Sequence, residues 1–144
     1  MKKTLILVSW IAMTAAIAAQ TGQTYVARLS PVPLTVEMQA TVSGSGTATA
    51  TLNGRRLTID GKFAGLRSPA TVARLHMAPR ARRGEAFADL KVSSGTSGTI
   101  TGAIDLSPDQ VQALTRNSVY IQLHSEKAPD GNLWGWLLPQ ETKR

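Results

Sequence analysis

Two histidines are the residues of this 144-residue sequence best suited to chemistry, because an imidazole can bind a metal ion or exchange a proton near neutral pH. They are its only histidines, and each ends a short run in which apolar residues alternate: Val72-Ala-Arg-Leu-His76 and Tyr120-Ile-Gln-Leu-His124. Alternation of this kind predicts strands. If the two strands are neighbours, both imidazoles lie on one sheet face near the same end. This arrangement would permit a two-histidine site for copper or zinc.

A structural role for the two histidines competes with the metal site and is favoured by their surroundings. A closed zinc site usually has three or four protein ligands, so a carboxylate such as Asp130 or Glu126, or water, would have to complete the pair. Arg74 shares a strand face with His76, and its positive charge would repel a cation. An imidazole at a strand end can instead hydrogen bond to a loop carbonyl and fix that loop in place.

The other residue types that catalysis uses do not form a recognisable site. Cysteine is absent, so the chain has no thiol nucleophile, no thiolate ligand and no disulfide. The sequence contains no Gly-x-Ser-x-Gly turn of the kind that exposes a serine nucleophile, and no glycine-rich loop with a lysine for phosphates. The sequence therefore predicts a protein that is not an enzyme.

The two tryptophans near the C-terminus lie in the last predicted strand. Trp134 and Trp136 alternate with Leu133 and Leu137, so this strand is apolar on both faces. Large exposed apolar patches are uncommon on monomers, which favours burial of the tryptophans beneath the segment around residues 32–36. The alternative is an aromatic strip that binds a partner protein, a glycan or a membrane interface.

The basic residues form one tight cluster, made up of Arg80, Arg82 and Arg83, in a chain whose net charge is +7. No aromatic residue lies between these arginines, and we therefore expect no nucleic-acid partner. A solvated loop is the ordinary explanation of such a run. The alternative is attraction to an anionic polymer of the cell envelope or to lipid headgroups.

The elements that must position these residues are mostly strands. Period-two alternation from residue 25 onward predicts about eight of them, separated by polar turns, as in an antiparallel sandwich or barrel. Asn53-Gly54 predicts a type I′ hairpin, because both residues tolerate positive φ. One short helix is predicted near residues 108–115, with Ser107 as N-cap and Gln110 completing a capping box.

The N-terminus predicts export. Lys2 and Lys3 precede an apolar run, and Ala16-Ile-Ala18 gives the small-x-small pattern at which a signal peptide is cleaved. We expect residues 1–18 to be the signal peptide and residues 19–144 to form a single domain, with no transmembrane span once the signal is removed. The location would be periplasmic or secreted. The apolar run is shorter than the about 20 residues that a spanning helix needs, which disfavours an uncleaved anchor.

Stretches along most of the chain resemble those of the CHRD domain, a module named for its occurrence in chordin and common in bacterial exported proteins. The matching stretches are Gly46-Thr-Ala-Thr-Ala-Thr-Leu52, Gly65-Leu66, Ser68-Pro-Ala70, Leu75-His76, Gly98-Thr-Ile-Thr-Gly102, Leu106-Ser-Pro-Asp-Gln110, Tyr120-Ile-Gln-Leu-His124 and Pro129-Asp-Gly131 through Gly135. The resemblance implies an all-β, antiparallel, immunoglobulin-like β-sandwich of Greek-key type with no agreed enzymatic activity.

This chain departs from the family pattern at its chemically distinctive residues. Where the family often has His-Ile-His and a glycine-rich loop, this chain has Arg74-Leu75-His76 and the basic loop 77–84. The family's last strand usually reads Gly-Glu-Ile-Arg-Gly-Gln, and here Trp134 and Trp136 replace polar positions.

The sequence therefore predicts an exported, non-catalytic binding or structural module in the bacterial envelope. Its partner would be an unknown envelope protein or an anionic polymer. The candidate binding residues are Trp134, Trp136, Arg80, Arg82 and Arg83. The alternative function is periplasmic handling of copper or zinc through His76 and His124.

Overall fold

The computed structural model describes residues 22–141, which form an antiparallel all-β fold with one short α-helix. The signal peptide predicted for residues 1–18 lies outside the described residues. The strands are β1 Gln23–Pro31, β2 Ser45–Asn53, β3 Arg56–Ala64, β4 Ala70–Met77, β5 Glu85–Val92, β6 Gly98–Asp105, β7 Val119–Ser125, β8 Ala128–Trp136 and β9 Leu138–Pro139. The helix α1 is Pro108–Thr115, and a 3-10 turn spans Glu37–Ala40.

Eight of the strands close into a barrel, with neighbours in the order β1-β2-β3-β6-β5-β4-β7-β8 and a return to β1. The two-residue β9 pairs with Tyr25 and Val26 in the first half of β1. Strands β4, β5 and β6 are joined in succession, and β7 returns to lie beside β4, which is a Greek-key arrangement. The predicted strand number and Greek-key connection are thus present.

The predicted immunoglobulin-like sandwich is corrected to this closed barrel. Strand β1 pairs with β2 along most of its length and with β8 at Ser30 and Pro31. Strand β5 pairs with β4 and then with β6 at Lys91 and Val92. In a two-sheet sandwich the sheet edges would be left unpaired. Here β1 crosses from β2 to β8 and β5 crosses from β4 to β6, so these edges are paired. Gly135 permits the first crossing, because a Cβ there would collide with the carbonyl oxygen of Arg28.

The β2–β3 hairpin forms as predicted, but its turn lies one residue later than predicted. Asn53 pairs with Arg56, so the central residues are Gly54, whose φ is +60°, and Arg55. Asn53 does not have positive φ, so the predicted type I′ turn centred on Asn53-Gly54 is wrong. The observed register places Leu52 opposite Leu57 on the inner face, whereas the predicted turn would have placed Arg55 there.

The helix matches its prediction. The Ser107 hydroxyl accepts a hydrogen bond from the Gln110 amide (3.2 Å), and the Gln110 side chain accepts one from the Ser107 amide (2.9 Å). This reciprocal capping box satisfies two amides that the first turn leaves without helical partners. Ala113 and Leu114 are buried, so α1 closes one end of the barrel on the connection between β6 and β7.

The barrel interior is filled by aliphatic side chains from alternate positions of the strands. Members that are less than 2% exposed include Leu29, Leu57, Leu75, Ile100, Ile121, Leu123 and Leu133. A second apolar cluster lies on the outside of the wall and contains Tyr120, Trp134 and Trp136. No helix within residues 22–141 is long and apolar enough to cross a membrane.

Candidate functional site

Two rows of side chains cross the outer face of β4, β7 and β8. In the first row, His76 pairs with Tyr120, and Tyr120 pairs with Trp136. In the second row, Arg74 pairs with Gln122, and Gln122 pairs with Trp134. Residues two apart on a strand point to the same side, and the pairing of the three strands brings these six side chains together. The two histidine-bearing strands are neighbours, so both imidazoles share the outer face as predicted. The expectation that they lie near the same end is wrong, because β4 and β7 are antiparallel: His76 lies opposite Tyr120, whereas His124 lies beyond the Leu123–Ala73 pair.

The tryptophans in these rows are covered by another segment of the chain. Val32, from the segment expected to cover them, packs in their cluster, and Val42 joins it. Leu34 and Val36 in the same segment remain 43% and 78% exposed. Trp134 and Trp136 are each 9% exposed, so only narrow edges of the two indoles reach the surface.

His76 and Tyr120 fix the basic loop that follows β4. Their rings stack with centroids 4.9 Å apart and planes 18° apart. The His76 Nδ1 donates a hydrogen bond to the Gly84 carbonyl (2.8 Å), and the Tyr120 hydroxyl accepts one from the Gly84 amide (3.0 Å). The His76 Nε2 is buried and has no partner among residues 22–141. His76 therefore has the structural role that its position at a strand end predicted, and one of its nitrogens remains available.

His124 makes the same kind of bond at the end of the next strand. Its Nδ1 donates to the Pro129 carbonyl (2.8 Å), and its Nε2 lies 3.4 Å from the Gln122 amide nitrogen. That nitrogen also donates to the Asp130 carbonyl (3.2 Å). The Gln122 amide thus links the β7–β8 connection to the histidine, while its own Oε1 is buried without a partner in the described chain.

The environment of His124 disfavours the charged form of its imidazole. Burial lowers the pKa of His124 below its usual value, and the bond to Pro129 opposes that effect. The positive charges of Arg74 and Arg83, together with His76, lower the pKa further. A neutral imidazole with its proton on Nδ1 leaves Nε2 as an acceptor, which agrees with its contact to the Gln122 amide.

The loop between β4 and β5 is held against the outer face by three further contacts. The Trp136 indole nitrogen donates to the Ala78 carbonyl (3.0 Å). Arg83 donates to the Asp130 carbonyl (3.0 Å), and its guanidinium lies 6.0 Å from the centre of the Trp134 ring. Both indoles are therefore held rigidly, one by a buried hydrogen bond and the other beneath an arginine.

The exposed edges of the two tryptophans form the floor of a groove of about 280 Å³ between β1, β8 and the basic loop. The residues that define this tryptophan–arginine groove are Arg28, Ser30, Arg80, Trp134, Trp136 and Leu138. Three of the five candidate binding residues meet here. Arg83 contacts Trp134 from the other side of the loop, and Arg82 is exposed outside the groove.

Arg28 is the charged residue of the groove that was not among the candidates from the sequence. Alternation along β1 predicts only that Arg28 points outward, because the flanking Ala27 and Leu29 are apolar. Its place beside the tryptophans depends on the crossing of β1 onto β8, where Ser30 pairs with Trp134. Nothing in the local sequence signals that long-range pairing.

The metal-site candidates share a face but do not gather further ligands. Within residues 22–141 no group of three or more histidine, cysteine, aspartate or glutamate side chains is placed to hold a metal ion. Gln122 lies between the two histidines on their shared face, and Arg74 is there too, bonded to Asp89 at 2.9 Å. The face therefore offers two imidazole nitrogens and an amide oxygen.

Comparison with known proteins adds one result. Neither the curated proteins nor the solved structures gave a match. The family model for the CHRD domain matches residues 21–137, a range that contains every strand of the barrel and both rows of the outer face. The chain therefore belongs to the CHRD domain family.

Proposed function

We propose that this protein is an exported, non-catalytic binding module of the bacterial envelope that holds an anionic ligand in the tryptophan–arginine groove. One observation carries the proposal: Arg28 and Arg80 flank the exposed edges of Trp134 and Trp136 in a single concavity. The two arginines come from β1 and from the loop after β4, and the fold alone brings them together.

The chemistry of the groove suits a ligand that carries carboxylate or phosphate groups on an otherwise polar body. A guanidinium donates two parallel hydrogen bonds to either group, which gives both strength and orientation. The indole edges provide rigid contact area at low entropic cost, because the Trp136 hydrogen bond and the Arg83 contact already fix both rings.

The proposal of a non-catalytic role follows from the residues that line the groove. They supply guanidinium, indole, hydroxyl and aliphatic groups, and none of those six side chains is a carboxylate, an imidazole or a thiol. A general acid or base near neutral pH usually comes from one of those groups. Export is inferred from the signal-like residues 1–18, and the positive charge would attract the anionic polymers of an envelope.

Intrinsic fluorescence provides a direct test. Trp10 lies in the predicted signal peptide, so residues 19–144 contain Trp134 and Trp136 as their only tryptophans. We expect titration with a soluble polyanion such as alginate to change the emission of residues 19–144, and Arg80→Gln to weaken that response. Lys127→Gln removes the same charge from an exposed position in the β7–β8 turn and should leave it unchanged. No response from the native domain to alginate and to polyphosphate would rule out this ligand class.

Metal binding is a second candidate function, because both histidines are oriented as metal ligands usually are. Each donates its Nδ1 proton to a backbone carbonyl at 2.8 Å, which leaves Nε2 as the nitrogen that could coordinate; the His124 Nε2 would first have to give up its 3.4 Å contact with the Gln122 amide. The His76 Nε2 and the Gln122 Oε1 are buried acceptors without partners among residues 22–141. Titration with Cu²⁺ or Zn²⁺, followed by NMR of the imidazoles, tests this function. Unmoved His76 and His124 resonances would exclude it.

A further inference from the structure

The tryptophan–arginine groove continues into two more concavities on the barrel surface. Arg28 also lines a second concavity of about 360 Å³, together with Thr47 and Lys62. Thr47 and Lys62 in turn line a third concavity of about 450 Å³ over the outer face of β2 and β3. Arg28 lines the first two concavities, and Thr47 and Lys62 line the last two, so the three adjoin one another along the barrel surface; we call them together the barrel track.

Strand register explains the direction of the barrel track. Arg28 pairs with Thr47, Thr47 with Lys62, and Lys62 with Thr99, so these four residues form a row across β1, β2, β3 and β6. The groove joins this row through Ser30, two residues from Arg28 on the same face of β1. The track therefore crosses five strands from β8 to β6. Four interstrand spacings correspond to on the order of 19 Å.

The side chains along the barrel track are cationic at intervals and rich in hydroxyl groups between the cations. Arg80, Arg28 and Lys62 follow one another from the groove to the third concavity. The third concavity is lined mainly by threonines and by one carboxylate; these residues are Thr47, Thr49, Thr51, Thr58, Thr99 and Asp60. Threonine hydroxyls both donate and accept hydrogen bonds, and Asp60 accepts them. The hydroxyls match a sugar, and the cations match an acidic one.

Two other polyanions fit the barrel track less well. A single-stranded nucleic acid binds through aromatic faces on which its bases stack, and the two tryptophans are each only 9% exposed, which leaves too little open ring for stacking. A lipid surface would need an exposed apolar strip, whereas the third concavity is lined by hydroxyl and charged groups.

We propose that the barrel track binds an extended anionic polysaccharide of the polyuronate class, with carboxylates at Arg80, Arg28 and Lys62 and sugar hydroxyls on the threonine rows. This proposal rests on the proposed function, because the tryptophan–arginine groove is the first part of the track. It adds a ligand class, a binding direction and two positions, Lys62 and the threonine face, that the groove alone does not include.

The test compares alginate oligomers of increasing length, from disaccharide to octasaccharide, on residues 19–144, which contain the entire barrel. We expect affinity to rise with length until the oligomer covers the barrel track. Lys62→Gln should then lower octasaccharide affinity about tenfold, the usual effect of losing one charge-assisted hydrogen bond, and leave disaccharide affinity unchanged. Lys127→Gln is the matched control and should have no effect on either ligand. Neutral cello-oligosaccharides should bind far more weakly.

The outcomes separate this proposal from the one before it. If the disaccharide and the octasaccharide bind equally and Lys62→Gln has no effect, the extended mode is wrong while the groove still binds an anion. If polyphosphate of matched charge or single-stranded DNA binds as tightly as the octasaccharide, recognition is of charge alone, and the polysaccharide class is wrong. If neither the oligomers nor polyphosphate change the tryptophan fluorescence, both proposals fail together.

Discussion

The Tyr120 hydroxyl is the group whose removal tests most cleanly how the outer face positions the binding loop. It accepts a hydrogen bond from the Gly84 amide at 3.0 Å, where the basic loop rejoins β5. Tyr120→Phe removes only this oxygen, because the ring stays in contact with His76, Trp134 and Trp136. The substitution therefore perturbs the loop attachment and leaves the aromatic packing in place.

The expected cost of Tyr120→Phe follows from what the Gly84 amide loses. A typical intramolecular hydrogen bond contributes about 0.5–1.5 kcal/mol, and a buried donor left without a partner costs about 1–3 kcal/mol. Gly84 is only partly buried, so water can partly replace the lost acceptor. We expect the free energy of unfolding to fall by about 1–1.5 kcal/mol. The same loss should speed local hydrogen exchange of the Gly84 amide about tenfold, because 1.4 kcal/mol corresponds to that factor.

Urea unfolding and hydrogen exchange measure the two effects of Tyr120→Phe. The denaturant slope should not change, since the folded and unfolded surfaces stay the same. The alginate response of the tryptophans should weaken, because the loop that carries Arg80 loses one of its attachments to the outer face. Tyr25→Phe is the control, because Tyr25 is a buried tyrosine of the inner core and does not contact the loop. Native-like exchange at Gly84 in Tyr120→Phe would refute the idea that this hydroxyl holds the loop.

Four further outcomes are expected. Arg74→Gln should raise the pKa of His124, which NMR can measure. Burial is the main cause of the low pKa, and the positive charge of Arg74 lowers it further. An unchanged pKa in Arg74→Gln would contradict this contribution of Arg74. The His124 pKa is lower in the folded chain than the 6.5 of an ordinary histidine, so the unfolded chain takes up a proton first as the pH falls. The free energy of unfolding should therefore lose nothing from His124 above about pH 6.5 and should decrease as the pH drops below that value. Urea unfolding at a series of pH values measures this dependence. His124→Gln should reduce the decrease in unfolding free energy below pH 6.5, and the same decrease as in the native chain would contradict the assignment to His124. Ser107→Ala should lower stability by about 1 kcal/mol through loss of the cap, and Gly135→Ala by about 2 kcal/mol or more through collision with the β1 backbone. Differential scanning calorimetry measures both, and native-like melting would contradict either.

The sequence predicted the features that depend on neighbouring residues. The helix begins at Pro108 because Ser107 and Gln110 form a capping box within four residues, and such a signal needs no tertiary information. Strand alternation likewise predicted that Arg74 and His76 share a face of β4 and that Trp134 and Trp136 share a face of β8. These relations are properties of single strands.

Barrel closure and the groove could not be predicted in the same way. The ladder pairs that join β1 to β8 involve only Ser30 and Pro31 of β1, and those that join β5 to β6 involve only Lys91 and Val92 of β5. Two-residue pairings between strands far apart in sequence leave no periodic pattern. The turn at Gly54 shows a local ambiguity: Asn53-Gly54 suits a type I′ turn and Gly54-Arg55 suits a type II′ turn, and the observed register, with Asn53 opposite Arg56, is the second.

The most direct measurement of the central claim is a ¹H–¹⁵N NMR titration of residues 19–144 with an alginate octasaccharide. If the barrel track binds the polysaccharide, both indole N–H signals and the backbone amides of Arg28, Thr47 and Lys62 should shift with one common dissociation constant. Amides of the distant helix α1 should not move. Shifts that avoid the track, or that reach the indoles without reaching Lys62, would contradict the account.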